Sequence, residues 1–153
     1  MQFPLTPLQL RVLPYVRQLV SGHGWCEPSY VFASCRIESG WRPSVASSDG
    51  RGSVGLMQVL PSTVQQMIDE GYIDQSQRDQ TVPANSLAVG VAYLDWIRTY
   101  LMRAWGFKDT ILMHPVIEAY NEGVGNVLRG ITDQRYWLKW SAAQAGYAFI
   151  DEW

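Results

Sequence analysis

The chain has 153 residues, of which 47% are hydrophobic and 17% are charged, a composition typical of one soluble globular domain. Its net charge of −2 and the lack of any basic run argue against a protein that binds nucleic acid. No stretch approaches the roughly 18 apolar residues of a membrane span, and prolines and arginines interrupt the N-terminal segment, so no secretory leader is visible. We therefore expect no nucleic-acid partner and no membrane insertion.

The cysteines and histidines do not suggest a metal site. Cys26 and Cys35 lack the spacing of a zinc motif, and His23 and His114 are isolated along the chain. Because Cys35 falls on a predicted helix among apolar neighbours, we expect two reduced thiols rather than a disulfide. We predict no metal ion and no other cofactor.

The first half of the chain is predicted to be helical with loops. Thr6 followed by Pro7 is typical of a helix start, and Pro14 is expected to kink the helix that follows. The predicted helices of this half cover about residues 7–21, 28–40 and 61–71. Residues 41–55 are rich in serine, glycine and arginine, which predicts a loop.

The second half is also predicted to be helical. Its predicted helices cover about residues 86–105, 110–120 and 135–150. Residues 71–83 are polar and are expected to form a connection, and residues 121–126 are expected to form a glycine-containing turn. Strict apolar–polar alternation is nearly absent, apart from one candidate ribbon at residues 54–60. The fold class is therefore predicted to be mainly α.

Glu38 is the first candidate for chemistry. It follows an apolar helical segment and directly precedes Ser39 and Gly40, where the helix is expected to end. Desolvation and the negative end of the helix dipole both oppose ionisation there, so a raised pKa is expected. A carboxyl that is protonated near neutral pH is what a general acid needs. The alternative is a solvated glutamate at a helix end.

Two further segments are ambiguous when each is taken alone. In Gly55-Leu56-Met57-Gln58, glycine allows a close approach of the backbone, and Gln58 offers both a donor and an acceptor. In Ala119-Tyr120-Asn121-Glu122-Gly123, the hydroxyl of Tyr120 could hydrogen-bond a carboxyl group or could lie in the core.

Together the three segments resemble the lytic transglycosylase (SLT) domain family. ESGWRPSVASSDGRGSVGLMQVLPST resembles its Glu-Ser, loop, Gly-Leu-Met-Gln and Pro-Ser-Thr pattern, AYNEG resembles its Ala-Tyr-Asn-Ala-Gly motif, and NSLAVGVAYLDWI resembles its Gly-x-x-Tyr-Leu helix. The likeness covers about residues 25–125. It implies a single lysozyme-like helical domain over residues 1–153, related to goose-type lysozyme, with a saccharide-binding cleft. Residues 126–153 match no motif and are expected to form a C-terminal helical segment.

The resemblance also implies a role for each matching residue. Glu38 matches the single catalytic acid/base, and Tyr120 matches the tyrosine whose hydroxyl points at the catalytic carboxyl. The matching substrate-binding positions are Ser39, Gly55, Met57, Gln58 and Asn121. Glu122 departs from the commoner alanine of the family, and we expect it to point outward without a catalytic role.

The implied reaction is the non-hydrolytic cleavage of peptidoglycan glycan strands. The bond between N-acetylmuramic acid and N-acetylglucosamine would break, and a 1,6-anhydro-muramic end would form. A hydrolytic muramidase is the nearest alternative, and it would need a second carboxylate, for which Asp49 in the loop after Glu38 is the candidate. A wall-binding or wall-piercing structural module is the other alternative.

The expected cellular setting follows from the location of the substrate and from the sequence at the start of the chain. The substrate lies outside the cytoplasmic membrane, yet no leader is visible. We therefore expect a protein made in the cytoplasm that acts as a monomer in the periplasm or cell wall. Release through a holin as a phage endolysin, carriage on a virion and association with a secretion system are the open routes, and we favour a bacteriophage origin.

Overall fold

A computed structural model describes residues 1–152, and Trp153, the last residue of the predicted C-terminal segment, lies outside the described residues. The described α-helices are α1 (Pro7–Ser21), α2 (Pro28–Ser39), α3 (Pro61–Asp69), α4 (Pro83–Trp105), α5 (Met113–Glu122), α6 (Val124–Leu128) and α7 (Gln134–Tyr147). Short 3-10 helices lie at Gln75–Gln77 and Ala148–Glu152. The mainly α prediction is confirmed.

Proline opens four of these helices, because it has no N–H to satisfy and its φ already suits the first helical position. Thr6 caps α1 as predicted, since its hydroxyl accepts from the Gln9 N–H while the Gln9 side chain accepts from the Thr6 N–H. Pro14 lies inside α1 without ending it. The α4 helix begins at Pro83, three residues earlier than predicted, because Pro83 opens the helix and is not the last residue of the connection.

The second half contains the clearest departures from the prediction. Residues 121–126 were expected to be a turn, but Val124–Leu128 forms α6, a helix too short to show a periodic apolar pattern. The α5 helix begins at Met113 instead of near Thr110. The last predicted helix ends at Tyr147, and the chain continues as a tighter 3-10 helix.

The candidate ribbon at residues 54–60 is not a strand. The described residues contain only an isolated bridge between Ala46 and Val54. Gly55 has φ +95° and Gln58 has φ +52°, and such left-handed residues cannot continue an extended strand. The segment therefore turns back on itself beneath the end of α2.

One apolar core joins the helices, with α4 at its centre and α2 lying against α1, α4 and α7. Cys26 and Cys35 are both buried and free, which confirms the expectation of reduced thiols. Among residues 1–152, no helix has both the length and the apolar character needed to cross a membrane. The packing of α2 against α7 brings the C-terminal segment to the helix that carries Glu38.

Candidate active site

Glu38 lies in the last turn of α2, where three contacts end the helix. Gly40 adopts φ +60°, and its N–H donates to the carbonyl oxygens of Arg36 and Cys35. The left-handed cap is a glycine conformation, so the chain turns away directly after Glu38. The hydroxyl of Ser39 donates to the Cys35 carbonyl oxygen at 2.9 Å. Glu38 is thus fixed at a defined helix end.

Burial dominates the electrostatics of Glu38. Desolvation raises the pKa of this carboxyl from 4.5 to about 7, while a hydrogen bond from Tyr136 acts in the opposite direction. The Tyr136 hydroxyl donates to Glu38 Oε1 at 2.5 Å. The predicted rise of the pKa is therefore confirmed, with burial as its cause. At neutral pH the carboxyl is present in both protonation states, so it can donate or accept a proton.

A cleft of about 210 Å³ opens beside Glu38. Its lining consists of polar loop and turn residues, two tyrosines and the last turn of α5. The lining residues are Glu38, Ser47, Asp49, Arg51, Ser53, Gln58, Val59, Leu60, Thr63, Tyr93, Tyr120, Asn121, Glu122 and Gly123. The three sequence segments singled out above therefore meet around one cavity.

The Gly55–Gln58 segment forms the floor of the cleft. A Cβ on Gly55 would lie 2.1 Å from the Gln80 carbonyl oxygen, so only glycine fits there. Met57 is fully buried, with its sulfur 3.3 Å from the Cys35 sulfur. Gln58 lines the cleft, and its amide donates to the carbonyl oxygens of Val45 and Gly55 at 2.8 and 2.9 Å. Gly55 and Met57 thus support the cleft from beneath, and Gln58 faces it.

We expected the Tyr120 hydroxyl to point at the Glu38 carboxyl. Tyr120 lines the cleft, but its hydroxyl does not hydrogen-bond Glu38. Its hydroxyl donates to the Met57 carbonyl oxygen at 2.6 Å. Burial raises the pKa of Tyr120 well above 10.0, and the negative charge of nearby Glu38 raises it further, so the phenol stays neutral. The difference arises because the chain turns at the left-handed Gln58, and the Met57 carbonyl oxygen just before this turn needs a hydrogen-bond donor. The Tyr120 hydroxyl is that donor.

Tyr136, which the sequence analysis missed, is the tyrosine that contacts Glu38. It lies in the first turn of α7, where the Asp133 side chain accepts from the Arg135 and Tyr136 N–H groups. Glu118, buried in α5, accepts from the Asp133 N–H at 2.8 Å and so anchors the start of α7. Burial raises the pKa of Tyr136 well above 10.0, so its hydroxyl keeps the proton that it donates.

One sequence signal could have pointed to Tyr136. Tyr136, Trp140, Ala143 and Tyr147 recur at the spacing of a single helix face, and Trp140 in the middle of that face donates to the Ser34 hydroxyl of α2 at 3.0 Å. A tyrosine at the end of a buried face brings a polar hydroxyl to the neighbouring helix.

Ser39 and Asn121 were both expected to bind substrate, but only Asn121 lines the cleft. Ser39 is buried, does not line the cleft, and closes the end of α2 through its hydroxyl, so its contact with a sugar stays a prediction. Asn121 lines the cleft and is exposed, with its amide 3.5 Å from a carboxylate oxygen of Glu122.

Two further carboxyl groups line the cleft. Hydrogen bonds from the Arg51 N–H and the Ser47 hydroxyl lower the pKa of the exposed Asp49, which is therefore ionised at neutral pH. Glu122 was expected to point outward but also lines the cleft, because the last turn of α5 forms its wall. Within residues 1–152, no group of three acidic, histidine or cysteine side chains could hold a metal ion.

A row of aromatic rings leads from the cleft along α4. Tyr93 lines the cleft and lies 5.4 Å from the ring of Tyr120 between centroids. Trp96 stacks on Tyr93 at 6.1 Å, and Tyr100 stacks on Trp96 at 5.2 Å. Their spacing of three and four residues places them on one helix face. Such flat apolar rings suit the faces of sugar rings.

Comparison with known proteins agrees with this arrangement. The transglycosylase SLT domain family matches residues 22–142. The membrane-bound lytic murein transglycosylase C of Haemophilus ducreyi is 32% identical over 123 residues, which cover 78% of this chain and 32% of that protein. The protein of the same name from Yersinia enterocolitica is 36% identical over 124 residues, covering 78% of this chain and 33% of that protein.

A solved structure shows the same fold. The lytic transglycosylase Slt of Pseudomonas aeruginosa, in the form of an inactive mutant, superposes with a TM-score of 0.63 at 21% identity, over 95% of this chain and 22% of that chain. The chain spans about a third of the length of these curated relatives. Since the family match extends over most of its residues, the chain belongs to the transglycosylase SLT domain family.

Proposed function

We propose that the chain is a peptidoglycan lytic transglycosylase in which Glu38 serves as both acid and base. The observation that carries the proposal is the half-buried Glu38 carboxyl, with a pKa of about 7, at the wall of the cleft. Membership of the family and relatives named lytic murein transglycosylases support it. The substrate is the bond between N-acetylmuramic acid and N-acetylglucosamine.

In the first step, protonated Glu38 donates its proton to the glycosidic oxygen. The bond from that oxygen to C1 of the muramic sugar breaks, and the N-acetylglucosamine leaves as an alcohol. Positive charge develops at C1, next to the newly formed carboxylate. The Tyr136 hydroxyl donates to this carboxylate and stabilises its charge at the moment when it forms.

In the second step, the Glu38 carboxylate takes the proton from the C6 hydroxyl of the same muramic sugar. The C6 oxygen attacks C1 and closes the 1,6-anhydro ring, so no water is consumed. Glu38 regains its proton and is ready for another cycle. A pKa near the working pH suits a group that must give and then take a proton, which is why one carboxyl suffices.

Hydrolysis is the second candidate, because Asp49 and Glu122 line the same cleft as Glu38. Ionised Asp49 could act as a nucleophile or as a base towards water. Two features disfavour that role: Asp49 is fully exposed, and its carboxylate accepts the Arg51 N–H at 2.9 Å within its own turn.

Product analysis on purified peptidoglycan separates the two reactions. Mass spectrometry of a digest made in ¹⁸O-labelled water should show 1,6-anhydro-muramic ends without the label. Labelled muramic ends that borohydride reduces would show hydrolysis and refute the proposal. Glu38→Gln should release no product, whereas Asp49→Asn and Glu122→Gln should each still release anhydro ends.

We further infer that residues 1–153 form one catalytic domain that acts as a monomer on the cell wall. Support for the single domain comes from the continuous core and from Tyr136, which the C-terminal segment contributes to the site. The route to the wall, whether through a holin, on a virion or with a secretion system, stays a prediction. Light scattering in solution would test the monomer.

A further inference from the structure

A second groove lies against Tyr136, the residue that hydrogen-bonds Glu38. It has a volume of about 540 Å³ and is lined by Arg36, Ile37, Asp133, Arg135, Tyr136 and Lys139. Tyr136 lines this groove while its hydroxyl donates to Glu38, which lines the cleft. A ligand group in this groove, which we call the basic groove, would therefore contact the tyrosine that hydrogen-bonds the reacting carboxyl.

Positive charge predominates in the basic groove, although the whole chain carries a net charge of −2. Arg36, Arg135 and Lys139 face one acid, Asp133. The Asp133 carboxylate caps α7 and lies 3.8 Å from the Arg135 Nε atom. Among residues 1–152, neither Arg36 nor Lys139 has a carboxylate oxygen within 4.0 Å. The groove thus presents two cations without an internal counter-charge.

The Arg36 guanidinium is held in place by the N-terminal segment. It lies over the ring of Phe3, 3.9 Å from the ring centroid, a cation–π geometry. Phe3 is itself fixed, because its N–H donates to the Gly146 carbonyl oxygen at 3.0 Å. A Cβ on Gly146 would lie 2.3 Å from the Phe3 ring, so glycine permits this packing. Arg36 therefore loses little conformational freedom when a ligand binds.

The cleft has the opposite charge balance. Ionised Asp49 and the acid Glu122 face one cation, Arg51. Neutral sugar hydroxyls suit such a wall, but a carboxylate does not. The muramic sugar carries a lactyl group to which an acidic stem peptide is attached. This group branches from the glycan strand beside the scissile bond. Its carboxylates need a positive surface close to Glu38.

We propose that the basic groove binds the carboxylates of the stem peptide on the reacting muramic sugar, an inference that rests on the proposed function. Arg36 provides a fixed guanidinium, which suits a planar carboxylate. Arg135 and Lys139, which are exposed like Arg36, provide two further cations. The enzyme would therefore favour strands whose stems carry free acids.

Two synthetic muramyl tetrasaccharides test the proposal, one with free stem carboxylates and one with these groups converted to primary amides. Neutralising one exposed contact is worth up to about 1 kcal/mol, so we expect wild type to show about a twofold to fivefold higher kcat/KM for the free acid. The doubly substituted Arg135→Gln/Lys139→Gln chain should show a smaller preference, because only Arg36 remains as a cation in the groove. The preference should also shrink as the salt concentration rises.

The matched control neutralises two exposed cations outside the groove, in Arg103→Gln/Lys108→Gln, and should keep the preference. Calorimetric binding of both tetrasaccharides to Glu38→Gln gives a readout that does not need catalysis. Equal affinity and equal kcat/KM for the two substrates in wild type would overturn the proposal. So would equal loss on both substrates in the groove variant, which would indicate a merely structural role.

Failure of the proposed function gives a different result. Products with reducing ends instead of anhydro ends would refute the transglycosylase reaction, yet a preference for the free-acid stem would still support the basic groove. Anhydro products without any preference would support the reaction and refute the groove.

Discussion

The titration of Glu38 affects both the stability of the fold and the rate of the proposed reaction, so the two should depend on pH over the same range. Its pKa is about 7 in the folded chain, against 4.5 for an ordinary glutamate. A carboxyl with a raised folded pKa binds its proton more tightly in the folded state. Its contribution to stability is therefore fully present below pH 4.5 and is lost as the pH rises through about 7.

Glu38→Gln should therefore be more stable relative to wild type at pH 8 than at pH 4. The expected difference is about 3 kcal/mol in the free energy of unfolding, since the pKa rises from 4.5 to about 7 and each pKa unit corresponds to about 1.4 kcal/mol. Urea unfolding of both chains at the two pH values measures it. Asp49→Asn is the matched control, because Asp49 is exposed and its pKa is lowered instead. A constant difference between Glu38→Gln and wild type would contradict the assignment.

Tyr136→Phe should move the pH profile of the reaction. The Tyr136 hydroxyl stabilises the ionised Glu38 and so lowers its pKa, which means that its removal raises the pKa further. Because the first step needs protonated Glu38, the loss of kcat/KM on the alkaline side should shift to higher pH. The total rate should fall, since the carboxylate loses a donor.

Tyr120→Phe is the control for this shift. Its hydroxyl bonds the Met57 carbonyl oxygen and not Glu38, so the alkaline limb should stay in place. We expect instead a loss of about 1–2 kcal/mol in stability from the unsatisfied carbonyl, measured by urea unfolding. If Tyr120→Phe moved the limb and Tyr136→Phe did not, the roles of the two tyrosines would be reversed.

At the scale of elements, the contact of α4 with the floor of the cleft is unusually close. A Cβ on Gly90 of α4 would lie 2.4 Å from the Met57 Cε atom and 2.8 Å from its Cβ. Met57 is fully buried and its carbonyl accepts from Tyr120. A shift of Met57 would therefore disturb the wall of the cleft as well as the core.

Gly90→Ala should destabilise the chain by about 1–3 kcal/mol, the usual effect of overpacking. The same change in an open helix normally stabilises, because alanine loses less backbone entropy. Gly125→Ala in α6 is the matched control, since nothing lies within 4 Å of its added Cβ. Thermal unfolding of both variants should therefore give shifts of opposite sign. A stabilising Gly90→Ala would mean that Met57 repacks freely.

Local sequence signals predicted the long helices and not the short ones. Thr6, Pro28 and Gly40 mark helix ends by backbone chemistry that acts within a few residues, and the structure confirms these ends within a residue. The α6 helix has only five residues between two glycine-containing turns, too few for a periodic pattern. Its existence depends on the packing of Val127 into the core.

At the scale of the whole molecule, the two chain ends are joined through α2. The Asp151 carboxylate accepts from the Ser29 N–H at 2.8 Å and from the Ser29 hydroxyl at 2.6 Å. It thereby caps the first turn of α2 from the C-terminal 3-10 helix. The N-terminal helix is also linked directly to α7, since the Gln9 amide donates to the Tyr147 hydroxyl at 3.1 Å.

Asp151→Ala should lower stability by about 1–2 kcal/mol, as the loss of a helix cap does. The exposed Glu152→Ala, one residue further on, should have little effect. Chemical denaturation of both variants measures the difference. Equal stability of the two variants would show that the C-terminal segment does not support α2.

The site could be predicted only as far as its residues lie in known motifs. Glu38, Gln58 and Tyr120 were found because the order and spacing of their segments resemble the family, and they do meet around one cleft. Tyr136 lies 98 residues after Glu38, in a segment where the sequence analysis recognised no motif, although the family match extends to residue 142. Its contact arises from the packing of α7 on α2, and no local pattern specifies which long-range partner a buried helix face meets.

The two buried thiols can be used to measure the unfolding of the molecule. Cys35 is fully buried and Cys26 nearly so, and burial raises the pKa of both thiols, so reactive thiolate is scarce in the folded chain. An alkylating reagent should therefore modify neither sulfur until the helices separate. The rate of labelling would then report how often α2 leaves the core, without any added probe.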